Sequence, residues 1–99
     1  MAREGTFQVG SRTLAYLEAG DAGGPLVLHN HGGPSSRLEA NLFDASATAH
    51  GLRLVCVDRP GIGGSDPHPG RTFESWTSDL LALADFFGAQ QFAVTGWSE

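Results

Sequence analysis

Three short stretches of this chain carry residues whose types and spacing suit nucleophilic catalysis. The most pointed is Gly96-Trp97-Ser98-Glu99, which reads as the opening of a G-x-S-x-G nucleophile elbow, a sharp strand-to-helix turn that lifts a serine hydroxyl clear of a sheet. Such a turn is tight enough that side chains two positions from the serine would collide with neighbouring backbone, so small residues are needed there. Gly96 meets that need, and the chain ends at Glu99, where the second glycine is expected next. A G-x-S alone is equally well explained as a strand ending in a Gly-Trp-Ser turn. The weight therefore falls on two companion stretches, His31-Gly32-Gly33-Pro34 and Asp58-Arg59-Pro60-Gly61-Ile62-Gly63-Gly64-Ser65.

Each of these stretches must be held by an element that precedes it. Phe92, Ala93 and Val94 form a short apolar run suited to a buried parallel strand leading into Gly96. Leu26, Val27 and Leu28 form another, running into His29-Asn30-His31, and Leu52 to Val57 form a third, ending at Asp58. Upstream, Thr6 to Val9 and Arg12 to Glu18 flank Gly10-Ser11 and read as a hairpin. Between the later strands the period changes. Leu38, Leu42, Ala45 and Ala49 recur at helical steps and define an expected inward face, with Gly51 as the stop. Thr72 is a candidate N-cap with Glu74 in the first turn, and Phe73, Trp76, Leu80, Leu83, Ala84 and Phe87 mark an apolar stripe that Gly88 closes. Glu74, Ser78, Asp79 and Asp85 fall mostly off that stripe. The order β-β-β-α-β-α-β argues an α/β sheet, mostly parallel after an N-terminal antiparallel hairpin.

Composition bounds the function. Ninety-nine residues make one small domain at most. A charged share of 17% is low, as strands buried on both faces require. The net charge of -5, with no basic run, argues against nucleic acid as a partner. Met1 to Gly10 lacks the apolar core of a signal peptide, and no segment approaches membrane-spanning length, so a cytoplasmic protein with no membrane partner is expected. Cys56, the single cysteine, lies inside an apolar run and reads as a buried thiol, neither nucleophile nor ligand.

The ordered trio of motifs, each at the carboxyl end of a strand, resembles the N-terminal part of the α/β-hydrolase family over essentially the whole chain. The H-G-G-P and D-R-P-G-x-G-x-S forms look like the branch of small esterases and proline iminopeptidase-like peptidases. The resemblance implies a third strand flanked by the fourth and the fifth, with a crevice at the point where the chain reverses its winding. It implies Ser98 as nucleophile, with the backbone N–H groups of Gly33 and Glu99 as an oxyanion hole and Gly32 and Gly33 allowing close approach of the main chain. Serine at the elbow, where the epoxide hydrolase and dehalogenase branches attack through a carboxylate, argues against those branches. An ester or amide is the implied small-molecule substrate, and no cofactor is implied.

Other residues near the motifs have plainer readings. His29 and His31 form an H-x-H pair without a third ligand at metal spacing, so no metal is expected and His31 reads as a hydrogen-bonded structural residue. Asp58 and Arg59 read as a pair that stabilises their turn, and Pro34 and Gly96 as shaping residues. His50 and His68 read as solvated. Trp97 either lines the pocket or packs.

A serine needs a base, and the base an orienting carboxylate, which in this family follow the nucleophile in chain order. Nothing follows Glu99 here. The expectation is a single N-terminal part of an α/β-hydrolase domain over residues 1–99, inactive alone and inclined to self-associate through an open sheet edge. A non-catalytic half-domain acting in binding or assembly is the alternative.

Overall fold

In the computed structural model, residues 2–32 and 35–96 are described. Two segments of extended chain, β1 (Arg3–Val9) and β2 (Arg12–Gly20), form the hairpin, each longer than the sequence pattern suggests. They are followed by β3 (Leu26–Asn30), a 3-10 turn (Arg37–Glu39) that leads directly into α1 (Ala40–Ala49), then β4 (Arg53–Val57), α2 (Phe73–Phe86) and β5 (Phe92–Gly96). The strands form one sheet in the order β1-β2-β4-β3-β5. β1 pairs antiparallel with β2 and β2 with β4, whereas β3 pairs in parallel with both β4 and β5. Four strands therefore point the same way and β2 alone is reversed.

Alternation along the strands sends side chains to two cores. Leu14, Leu26, Leu28, Val55 and Val57 meet Leu83 and Ala84 of α2, while Leu17, Ala19, Val27, Leu54 and Cys56 meet Ala40 and Ala47 of α1. The helices thus cover opposite faces. The step from β3 to β4 and the return past β3 to β5 run in opposite directions on those opposite faces, so both crossovers have the same hand, as parallel connections require.

The rotation of α1 differs from the expected one. Leu38 and Leu42 are 53% and 73% exposed, and Ala45 and Ala49 are also exposed, whereas Ala40, Phe43 and Ala47 face the sheet. Close approach and polar anchors decide this, against the simple apolar stripe. Gly20 lies so near the helix that an added Cβ would sit 2.7 Å from the Ala47 Cβ and 2.2 Å from the Leu52 carbonyl oxygen. Only a small residue fits opposite it. Asp44 accepts from the Gly20 backbone N–H at 2.7 Å, and Glu39 reaches beneath β3, so the leucines are turned outward.

Helix α2 begins where its cap signals place it. Thr72 and Ser75 exchange the reciprocal bonds of a capping box, and Glu74 lies in the first turn. Two positions depart from the expected stripe. Phe73 is 91% exposed because the first turn overhangs the ends of the strands. Asp79, placed off the stripe by the sequence pattern, is buried, and its carboxylate takes a two-pronged bond from Arg12 on β2 at 2.8 and 3.1 Å.

Candidate active site

The carboxyl ends of β3, β4 and β5 lie along one edge of the sheet and carry the three motifs. Residues opposite one another in the β3–β5 ladder run from Leu26 and Phe92 to Asn30 and Gly96. His31 and Gly32 therefore leave the sheet beside the point where Gly96 ends β5. Gly33, Pro34, Trp97, Ser98 and Glu99, which include the expected nucleophile and both oxyanion donors, lie outside the described residues.

The loop after β3 is held from beneath. His31 is buried, and the Arg59 backbone N–H donates to its Nε2 at 3.1 Å. That nitrogen must carry the lone pair, so Nδ1 holds the hydrogen and donates it to the Gly32 carbonyl at 2.9 Å. Arg59 Nη2 in turn donates to the His31 carbonyl oxygen. Both ring nitrogens of His31 are thereby committed to the loop.

His29 is committed differently. Its Nε2 lies 2.8 Å from Glu39 Oε1, and its Nδ1 lies 2.9 Å from Thr95 Oγ1 on β5. Glu39 Oε2 accepts from the Gly32 backbone N–H at 2.9 Å. Burial pushes the Glu39 carboxyl up, but hydrogen bonds from Ser35, His29 and the Gly32 amide outweigh it and hold the group below the ordinary carboxylate range. An ionised carboxylate only accepts, so His29 Nε2 carries the hydrogen.

Asp58 and Arg59, expected to stabilise the turn as a pair, have separate roles. Arg59 serves the β3 loop, and the fully buried Asp58 organises its own. It accepts from the Arg37 backbone N–H (2.7 Å), Arg37 Nη1 (2.6 Å) and the Gly64 backbone N–H (2.9 Å). Gly63 has φ 51, and a Cβ there would sit 2.2 Å from Asp58 Oδ2, so glycine is required twice over. Ser65 closes the loop, donating to the Asp58 carbonyl at 2.6 Å and accepting from the Ala15 backbone N–H at 2.9 Å. Cys56 is fully buried below, and burial pushes its thiol up to about 12.

Above this edge lies a cleft of about 810 Å³. His31, Arg59 and Gly96 line it from the strand ends, Arg71 from the loop before α2, and Phe73, Trp76 and Leu80 from α2. It occupies the place where the chain reverses direction across β3, the point at which open α/β sheets bind ligands. Trp76 packs against the core, as its place on the apolar stripe implies; in addition its indole Nε1 donates to Asn30 Oδ1 at 2.9 Å and its ring forms part of the cleft wall. Glu39, Asn30 and Thr95 were missed altogether. Their partners lie far away in sequence, and no local spacing marks them. His68 and Asp66, in the loop after β4, are outside the cleft lining; Asp66 accepts from the Thr13 backbone N–H at 2.8 Å.

No family model matches the chain, and no curated protein matches it. Solved structures do. The epoxide hydrolase A of Mycobacterium thermoresistibile superposes with a TM-score of 0.84 at 28% identity, over 97% of this chain and 31% of its own. An epoxide hydrolase of Vigna radiata gives 0.85 at 24%, over 98% and 32%, and the thioesterase domain from the curacin biosynthetic pathway gives 0.83 at 19%, over 97% and 35%. The fold is therefore that of part of an α/β-hydrolase sheet, and this chain spans about a third of the length of the hydrolases it resembles.

Proposed function

We propose that residues 1–99 form the nucleophile-bearing part of a cytoplasmic serine hydrolase that cleaves esters or amides, of the small-esterase and proline iminopeptidase-like branch. Ser98 is the nucleophile, and the backbone N–H groups of Gly33 and Glu99 receive the oxyanion. The observation that carries this reading is the parallel pairing of β3 with β5, Asn30 opposite Gly96. Asn30 and Gly96 end their strands side by side, which supports one substrate carbonyl being reached from both of the stretches that follow.

The similar structures named as epoxide hydrolases share the fold, and fold does not fix chemistry. Serine at position 98 favours acyl transfer. Attack on an ester carbonyl forms an acyl-serine ester, which water cleaves to regenerate the hydroxyl. Attack on an epoxide would leave a serine ether, which water does not cleave. His29 and His31 have both ring nitrogens engaged elsewhere, so neither serves as the base for Ser98.

The test is labelling by an organophosphonate together with ester hydrolysis. The protein with its base in place is expected to show both, and Ser98→Ala to lose both, with the rate falling by roughly 10⁴ or more. Residues 1–99 alone are expected to show no hydrolysis above background, since an unassisted serine hydroxyl is a weak nucleophile. Hydrolysis unchanged by Ser98→Ala would overturn the reading. Ser98-dependent turnover by the short chain would make His68 the first base to examine.

A further inference from the structure

A continuous chain of hydrogen bonds, buried except at its Thr95 end, joins the two loops that the proposed reaction needs to hold in register. It starts at the Gly32 backbone N–H, passes through both oxygens of Glu39 and both ring nitrogens of His29, and ends at the Thr95 hydroxyl. Gly32 immediately precedes Gly33, and Thr95 stands three residues before Ser98. Both Glu39 and His29 are buried, 9% and 6% exposed, so water does not compete for the Gly32–Glu39 and Glu39–His29 bonds. The Phe43 ring packs 5.3 Å from the His29 ring and closes its α1 side. Backbone pairing of β3 with β5 fixes the strands to each other, but it does not fix the loop beyond Asn30. The Glu39 bond to the Gly32 N–H holds the His31–Gly32 peptide unit, beside the hold that the His31 ring and Arg59 have on the same loop.

We propose that Glu39 and His29 are positioning residues, which couple the β3 loop at Gly32 to the end of β5 at Thr95 and so support the register that the proposed oxyanion donor and nucleophile need. Neither side chain touches substrate. Their effect passes through Gly32 on one side and Thr95 on the other, and its catalytic consequence rests on the reading of Ser98 as nucleophile. Glutamine at position 39 can still accept from Gly32 and donate to a His29 ring in its other tautomer; alanine can do neither.

Two readouts test the coupling. In isotope-labelled protein, Glu39→Ala is expected to move the Gly32 amide proton upfield, through loss of a carboxylate acceptor, and to move the Thr95 and Gly96 amides on the far strand. Glu39→Gln is expected to stay closer to wild type at all three. In phosphonate labelling of Ser98, the saturating rate is expected to fall about 10- to 100-fold in Glu39→Ala, with half-saturation unchanged and most of the rate restored by glutamine. Thr95 and Gly96 signals that stay fixed in folded Glu39→Ala, or labelling at the wild-type rate, would overturn the proposal. Should the alanine variant not fold, Thr95→Val removes the other end of the chain while keeping its shape. It is expected to move the His29 ring and Gly32 amide signals, and an unmoved Gly32 refutes the coupling. If wild-type Ser98 takes no label, the serine reading fails, while the resonance measurements still decide whether the two loops are coupled.

Discussion

Asn30 of β3 lies opposite Gly96 of β5, and its side-chain amide spans the cleft floor in two directions. Nδ2 donates to the Thr95 carbonyl at 3.2 Å, and Oδ1 accepts from the Trp76 indole at 2.9 Å. One side chain thereby fastens the end of the outermost strand to the helix that walls the cleft. Leu80, which also lines the cleft, is half-buried and packs against the core.

Asn30→Ala is expected to release the Trp76 ring and leave its N–H to water. A net loss of about 1 kcal/mol in unfolding free energy follows from a neutral hydrogen bond of this kind. In a Trp97→Phe background, so that Trp76 alone reports, its fluorescence emission is expected to shift to the red. Unchanged emission would mean that the indole is held by packing alone.

Much of this arrangement could be read from the chain. The apolar runs at Leu26, Leu54 and Phe92 place their strands, and the flanking of the third strand by the fourth and fifth agrees with the fold that the motifs resemble. Thr72 and Gly88 mark the bounds of α2, because caps depend on local backbone chemistry. The rotation of α1 was not legible. It is set by a glycine on another strand and by two carboxylates whose partners, Gly20 and His29, are remote from them. Helical periodicity reports which residues share a face and does not report which face meets the sheet when both are partly apolar. The same limit hid Asp79, since a buried carboxylate announces itself only through its partner.

That partner supplies a second prediction. Arg12 is partly exposed, with 19% of its side-chain surface open, whereas Asp79 retains 3%. Removing the two sides of the pair is therefore not equivalent. Arg12→Ala strands a buried carboxylate and is expected to cost about 3–5 kcal/mol, the range for breaking a buried pair. Asp79→Ala leaves an arginine able to turn to solvent and is expected to cost less. Denaturant titrations of both variants, with the double variant closing the cycle, check the asymmetry.

Acid stability follows from Glu18 and Glu39. Burial pushes the Glu18 carboxyl up, but hydrogen bonds and charge from Arg53 (2.6 Å) and Arg3 (3.0 Å) outweigh it and hold the group below its ordinary value, as Glu39 also is held. A carboxyl whose folded pKa is depressed binds protons more readily in the unfolded chain. Its stabilisation is fully present above the unfolded value of about 4.5 and is lost as pH falls through the depressed folded value. Unfolding free energy is thus expected to be flat with respect to these groups near neutrality and to fall below about pH 4.5. Glu18→Gln should flatten part of that fall, and an acid limb identical to wild type would assign the loss to other carboxyls.

The last prediction concerns the sheet edge at β5. In the order β1-β2-β4-β3-β5 this strand is outermost, and its far side pairs with no other described strand. Ala93 to Gly96 are exposed, and Val94 retains 55% of its surface. An outermost strand with open backbone donors and acceptors and an apolar side chain at its middle is a template for pairing. Burying the exposed part of Val94 would contribute on the order of 1 kcal/mol on each side of a symmetric contact, in addition to the backbone ladder. Residues 1–99 at rising concentration are therefore expected to associate, with sedimentation showing dimers or larger species. Val94→Lys places a charge at the centre of the edge and is expected to shift the population to monomer without lowering the melting temperature, since the position is already open to water. A wild-type chain that remains monomeric across the range would show that the edge is too short or too strongly twisted to pair. Association that persists unchanged in Val94→Lys would move the contact elsewhere, with the outward leucines of α1, Leu38 and Leu42, next to be replaced.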